Sequence, residues 1–170
     1  MPKTEFSFEV HGPFEIPTYA GQAARLIRAD EGRSFFSNYP ALAKAAGCYV
    51  FGMRAGRGIT PFYVGKACHT FEQECFAPDK INRYNEALVD YTRGSPVLFL
   101  VALPIRRGRR NSQAIGELED FLIQNGVARN PDLLNVKGTR APIWGIAGVV
   151  RSGGGRRSAE AEAFSRMMNI

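Results

Sequence analysis

Two short tyrosine motifs flank a turn-rich segment in the first half of the chain. Gly47-Cys48-Tyr49 opens the apolar run Cys48–Met53, and Tyr63-Val64-Gly65-Lys66 closes a second run that begins at Phe62. Between them lies Arg54-Ala55-Gly56-Arg57-Gly58-Ile59-Thr60-Pro61, rich in glycine and basic charge. Side chains along a strand alternate faces with period two. Tyrosines on neighbouring strands can therefore present two phenols to one spot, with a basic loop beside them. That combination suits a phosphodiester, because phosphoryl transfer spreads negative charge that positioned cations and donors stabilise.

A carboxylate later in the chain is the second candidate. Glu119 falls in a helical stretch from Ser112 to Asn125, and its neighbours three and four residues away are Ile115, Gly116, Leu122 and Ile123. No lysine or arginine partner lies within helical reach. A carboxylate at the rim of an apolar face either reaches solvent or is satisfied by a cation. A hard divalent ion is one such partner, since it takes carboxylate oxygens and keeps several waters. His69 is a candidate base or phosphate contact, or else a surface residue. Cys68, His69 and Cys75 hint at zinc, but no fourth ligand has regular spacing. The cluster Arg106, Arg107, Arg109 and Arg110 fits contact with a phosphate backbone, or a solvated loop. Gly153–Arg157 lacks a P-loop pattern and reads as a flexible turn.

The bulk properties set the frame. The 170 residues suffice for one domain with a real core. The formal charge is +6 and the sequence pI about 9.5, which favours an anionic partner, with nucleic acid the commonest. Three cysteines without a CxxC pair signal neither a disulfide framework nor a zinc ribbon, and a reducing cytoplasm fits. No apolar stretch reaches the roughly 18–20 residues that span a bilayer, and no signal-peptide core follows the first residues.

The elements that must position these residues follow from pattern. Phe6–Val10 alternates and reads as a strand, interrupted at Gly12-Pro13. Ala20–Ile27 reads as a short helix. Pro40 starts a helical turn within Ser34–Ala46, which Gly47 ends. The tyrosine runs Cys48–Met53 and Phe62–Val64 form a hairpin. Helices follow at about 70–76 and, capped by Asp79, at about 79–92, where Ile81, Tyr84, Leu88 and Tyr91 recur at helical spacing. Val97–Leu103 is a central strand. Asn111 or Ser112 caps the Glu119 helix, closed by Gly126. Ile143–Val150 is a strand, and Ser158 caps a last helix. The order implies an α+β domain with a small mixed sheet. Residues 1–46 form an N-terminal extension packed on a core at 47–138, and 139–170 complete the same domain.

Gly47-Cys48-Tyr49, Tyr63-Val64-Gly65, Glu119 with Leu122-Ile123, then Pro131 and Asn135 resemble, in order, the GIY-YIG nuclease signature. The similarity covers about residues 47–138, and the string 63–67 is similar to the excision-repair nuclease branch of that family. The resemblance implies a three-stranded antiparallel sheet flanked by helices. It further implies hydrolysis of DNA phosphodiester bonds with one divalent ion, magnesium or manganese. Tyr49 would then act near the attacking water, as base or positioner. Tyr63 would contact the scissile phosphate or hold the water network. Gly65 would let the chain turn under the substrate, Glu119 would be the sole protein ligand of the metal, and Asn135 would brace the site. Lys66 and the loop arginines Arg54 and Arg57 would favour a phenolate and contact nucleic acid.

One departure matters. The family carries an arginine eight residues past the second motif's glycine, and this chain has Gln73 there, between Glu72 and Glu74. Glutamine cannot replace the planar guanidinium fork. The nearest basic residues are Lys80 and Arg83. Either one of them reaches the site, or catalysis is impaired and the domain binds nucleic acid, DNA rather than RNA, without cutting it. A weaker alternative, from the Phe-rich N-terminus, is a protein-interaction module.

Overall fold

A computed structural model of the protein describes residues 6–104, 111–135, 145–149 and 157–169. The chain divides into two compact units, Met1–Thr139 and Arg140–Ile170. In the first unit, strands β1 (Glu9–Glu15), β2 (Tyr19–Ala20) and β3 (Arg25–Leu26) precede helices α1 (Glu31–Asn38) and α2 (Pro40–Ala43). The hairpin β4 (Ala46–Ala55) and β5 (Gly58–Ala67) follows, then α3 (Phe71–Glu74), α4 (Pro78–Asp90), β6 (Ser95–Leu103) and α5 (Ser112–Arg129). The second unit contributes α6 (Ala159–Met168), whose first turn is capped by the Ser158 hydroxyl accepting from the Ala161 amide.

The fold is α+β, with one antiparallel sheet of four strands in the order β1-β6-β4-β5 rather than the three expected. The fourth strand comes from the N-terminal segment. β1 runs Glu9–Glu15 and not Phe6–Val10: it pairs along β6 and continues through Gly12-Pro13, which the strand absorbs as a register shift between His11 and Phe14. Residues 1–46 are therefore not merely laid on the core, since they complete the sheet. β6 is interior, as its unbroken apolar run predicts.

The hairpin is longer and tighter than its sequence implies. Ala55 pairs with Gly58, so only Gly56 and Arg57 make the turn. Most of the expected loop is strand, and Pro61 is absorbed at a register shift that skips Phe62. Proline is tolerated there because β5 lies at the sheet edge and needs no amide outward. Three residues cover that edge. Asn130 Nδ2 donates to the Pro61 carbonyl at 2.8 Å, and the Leu134 amide to that of Phe62 at 2.8 Å. Asn135 then brackets Val64, accepting from its amide at 2.9 Å and donating to its carbonyl at 2.7 Å. Exposed strand edges invite pairing with other chains, and this segment occupies the edge instead.

Helices cover both faces. Tyr49, Phe51 and Leu100 join Phe71, Tyr84 and Leu88 in one buried cluster beneath α1, α3 and α4. On the opposite face Cys48 and Val101 pack on Ile115, and Val64 packs on Ile123 and Leu133, beneath α5. Each fully buried aromatic or aliphatic side chain here contributes about 1.5–3 kcal/mol.

Other expectations need correction. Residues 20–27 form the small β2–β3 hairpin and not a helix. The Ile27 amide and carbonyl are both taken by the Asn85 side-chain amide, at 2.7 and 3.2 Å, which holds that backbone extended. Pro78, not Asp79, opens α4, where its missing amide costs nothing. α5 runs through Gly126 to Arg129, and Gly126 is not its stop but the small residue on which Leu133 packs, where a β-carbon would meet Leu133 Cδ2 at 3.1 Å. Within the expected strand 143–150, residues 145–149 make an isolated bridge at Ile146 and a turn, and the remainder lies outside the described residues.

Candidate functional site

The two tyrosines do share a face. Tyr49 pairs with Gly65 across the hairpin and Tyr63 with Phe51, which puts both phenols under α4 with ring centroids 6.3 Å apart. Their environments differ. Tyr49 is fully buried, and its hydroxyl has no hydrogen-bond partner among the described residues. Burial, reinforced by Cys75 and Tyr63, pushes the Tyr49 phenol well above its usual range. In this packing it opposes the phenolate that a base requires.

Gly65 explains why the ring fits. It lies within β5 in regular register and makes no turn. A β-carbon there would fall 2.2 Å from Tyr49 Cζ and 2.4 Å from Oη. The phenol occupies the space a side chain would take. Gly47 serves β6 in a similar way, since a β-carbon would meet the Val101 carbonyl oxygen at 2.1 Å.

Tyr63 is half-buried and has a cation beside it. Lys80, on the first turn of α4, places Nζ 5.8 Å from the centre of the Tyr63 ring and 2.5 Å from Asp79 Oδ2. Burial works against the Lys80 charge, but the hydrogen bond to Asp79 and the Tyr63 phenol outweigh it and raise its pKa. Arg83 behaves otherwise. It turns along the helix surface to Glu86 at 3.3 Å. Gln73 is exposed on α3, and His69 is exposed in the connection before it. Lys80 is thus the basic residue brought to the tyrosines.

Glu119 has a partner that helical spacing could not reveal. Its Oε2 accepts from Lys66 Nζ at 2.8 Å, across 53 residues of sequence. That bond is the main reason the Lys66 pKa is raised. Lys66 alternates with Tyr63 and Gly65 along β5, so it belongs to the α5 face and does not lie against the tyrosine hydroxyls. Arg54 lies on β4 and Arg57 at the hairpin tip. From Tyr63 to Arg57 is six residues of strand, about 20 Å, so the basic turn is not beside the phenols. Arg106, Arg107, Arg109 and Arg110 lie outside the described residues.

A one-ion magnesium or manganese site can be tested against these groups. Among the described residues no three His, Cys, Asp or Glu side chains gather at one point. Glu119 is a single carboxylate with Lys66 on one oxygen. Magnesium takes one or two carboxylates and keeps several waters, so Glu119 fits an ion held mainly by water and substrate phosphate, not a protein cage. Of the zinc suggestion, Cys75 is fully buried and its thiol pushed well up by burial.

Sequence reasoning missed two members of the tyrosine cluster. Tyr84 stacks on Phe51 at 4.2 Å, faces Tyr63 at 6.2 Å and donates to the Cys75 carbonyl at 2.7 Å. Its helical spacing marks it as core, not as a neighbour of the site. Asp79 holds Lys80, which adjacency alone could have suggested. The chain gives no significant match to any family model, curated protein or solved structure. Among the described residues no helix is long and apolar enough to cross a membrane.

Proposed function

We propose that this chain is a divalent-metal-dependent endonuclease domain of the GIY-YIG type, acting on DNA. The observation that carries the proposal is Lys80 beside Tyr63, which brings a cation to the tyrosine face where Gln73 cannot. In this reading Lys80 holds a non-bridging oxygen of the scissile phosphate as a point charge, without the two-point grip of an arginine. The Tyr63 hydroxyl orients the attacking water. Tyr49 acts as a positioning residue, filling the space over Gly65 so that β5 carries Tyr63 at a fixed height. Glu119, beside Lys66 on the α5 face, would hold the metal, which when bound would neutralise charge on a substrate that passes round the β5 edge from Tyr63 and would acidify water. Lys66 keeps the Glu119 carboxylate in place until substrate arrives.

Nicking of supercoiled plasmid with magnesium or manganese tests this. Wild type should nick, and Lys80→Met, Tyr63→Phe and Glu119→Gln should each lose on the order of 100-fold in rate. Undiminished nicking by Lys80→Met removes the assignment. A nucleic-acid-binding domain without turnover is the second reading. The Lys66–Glu119 ion pair favours it, because an ammonium on the one candidate ligand competes with a metal. Salt-sensitive DNA binding by a wild type that never nicks would select it.

A further inference from the structure

The basic charges of the first unit divide into two kinds. Lys44, Lys66, Lys80 and Arg83 each sit within ion-pair distance of a carboxylate. Arg54, Arg57 and Arg93, like Arg25, Arg28, Arg33 and Arg129, have no such partner among the described residues, but only Arg54, Arg57 and Arg93 gather around one strand end. The fold collects these three at one end of the sheet. Arg54 closes β4 opposite Ser95, the first residue of β6. Arg57 is the tip of the β4–β5 turn. Arg93 precedes Gly94, whose backbone lies so close that a β-carbon would come within 2.3 Å of the Arg54 carbonyl oxygen. Arg25 anchors the approach to that segment by donating to the Tyr91 carbonyl at 3.4 Å. The local acids Asp90 and Asp132 line the cleft beside Tyr91 and Leu133, and neither pairs with the three arginines.

We infer that this end of the sheet is a second contact surface for the backbone of a bound nucleic acid, with Arg54, Arg57 and Arg93 as phosphate ligands. The inference rests on nucleic acid being the partner, as in the proposed function, but not on cleavage. Guanidinium groups that no carboxylate neutralises attract polyanions, and each phosphate contact releases counterions. The geometry sets the reach. About 20 Å separates Arg57 from Tyr63 along β5, which is about six base pairs at the rise of a duplex. Sequence alone does not single out Arg93, because its neighbours Arg54 and Arg57 lie some forty residues earlier.

The test is binding of a labelled duplex of about 24 base pairs, long enough to span both surfaces, by the full chain without metal and across a salt series. Arg54→Glu/Arg57→Glu/Arg93→Glu should weaken binding at least tenfold and flatten the salt slope by about two to three. Arg28→Glu/Arg33→Glu/Lys44→Glu makes the same net charge change on α1, at the end of α2 and in the segment before them, and should alter the slope by less than about one. Arg57→Ala, at an exposed turn, should flatten it by about one without affecting folding. Equal weakening by the two triple variants, or an unchanged slope in Arg57→Ala, overturns the inference. Dependence on these arginines in a protein that never nicks DNA would sustain the surface and remove only the cleavage assignment. Absence of any binding by wild type would remove both.

Discussion

The phenol of Tyr49 lies across Gly65 on the neighbouring strand, in the space where any other residue would place its β-carbon. The two motifs are therefore one packing unit. Gly65→Ala drives a methyl into a ring that is fully buried and cannot swing out. The expected cost is about 1–3 kcal/mol or more, read as a shift in the urea midpoint. Tyr49→Phe should do the opposite. It removes a buried hydroxyl that has no partner among the described residues, so stability should hold or rise by up to about 1 kcal/mol. A destabilised Tyr49→Phe would mean that the hydroxyl has a partner in the folded protein.

The Lys66–Glu119 pair gives a pH signature. Hydrogen bonding to Glu119 raises the Lys66 pKa on folding. A raised lysine stabilises the fold fully below its unfolded value, about 10.4, and loses that contribution as pH rises through the folded value. The denaturation midpoint of wild type should exceed that of Lys66→Met by a constant margin from about pH 7 to 9, and the gap should close above about pH 10.4. Water reaches Lys66, whose side chain is 38% exposed, so the coupling in a double-mutant cycle with Glu119→Gln should stay near 0.5–1 kcal/mol. A gap that widens with alkaline pH would contradict the pairing.

Under the proposed function, Lys80 and Arg83 should separate in a nicking assay. Lys80 stands over the Tyr63 ring, whereas Arg83 is spent on Glu86 along the outside of α4. Arg83→Ala should leave nicking within about twofold of wild type, while Lys80→Met loses on the order of 100-fold. Lys80→Arg should recover part of the loss, because charge is restored on a different stem. A larger defect in Arg83→Ala than in Lys80→Met would transfer the role.

The sequence carries local information well and long-range pairing poorly. The tyrosine hairpin and the caps at Asn111 and Ser158 rest on contacts between near neighbours, and β6 shows as interior through its own unbroken apolar run although its partners β1 and β4 are distant in sequence. Phe6–Val10 reads as a strand, but only Glu9 and Val10 of it belong to β1, and alternation does not say which strand it joins, so the four-stranded sheet is out of reach. The extended chain at Ile27 depends on Asn85, 58 residues away. Glu119 looks unpartnered in sequence because Lys66 lies on another element. The choice of Lys80 over Arg83 depends on where α4 begins, and in sequence Pro78 reads there as a stop.

Asn135 should prove to be a structural residue with a local footprint. Its side-chain amide takes both the amide and the carbonyl of Val64, as a neighbouring strand would. Asn135→Ala leaves both groups without those partners and should cost about 1–3 kcal/mol. Hydrogen exchange at Val64 should accelerate, while exchange at Val50, inside the sheet, follows global stability only. Unchanged exchange at Val64 would show that the bracket does not persist in solution.

The three cysteines should react in an order set by burial. Burial, with the charge of Glu119 adding and that of Lys66 opposing, pushes the Cys48 thiol up to about 12, and its Sγ donates to the Ile115 carbonyl. Cys75 is fully buried and its thiol is also pushed well up. Only the thiolate attacks an alkylating agent, and at pH 8 a thiol near 12 is ionised to about one part in ten thousand. Cys68 is only half-buried. Iodoacetamide at pH 8 should therefore modify Cys68 in the native protein and leave Cys48 and Cys75 until denaturant is added, as read by peptide mass. Lys66→Met removes the charge that opposes the Cys48 shift, so Cys48 should become slower still and not faster. Native labelling of Cys48 at the rate of Cys68 would mean that α5 lifts from the sheet under these conditions.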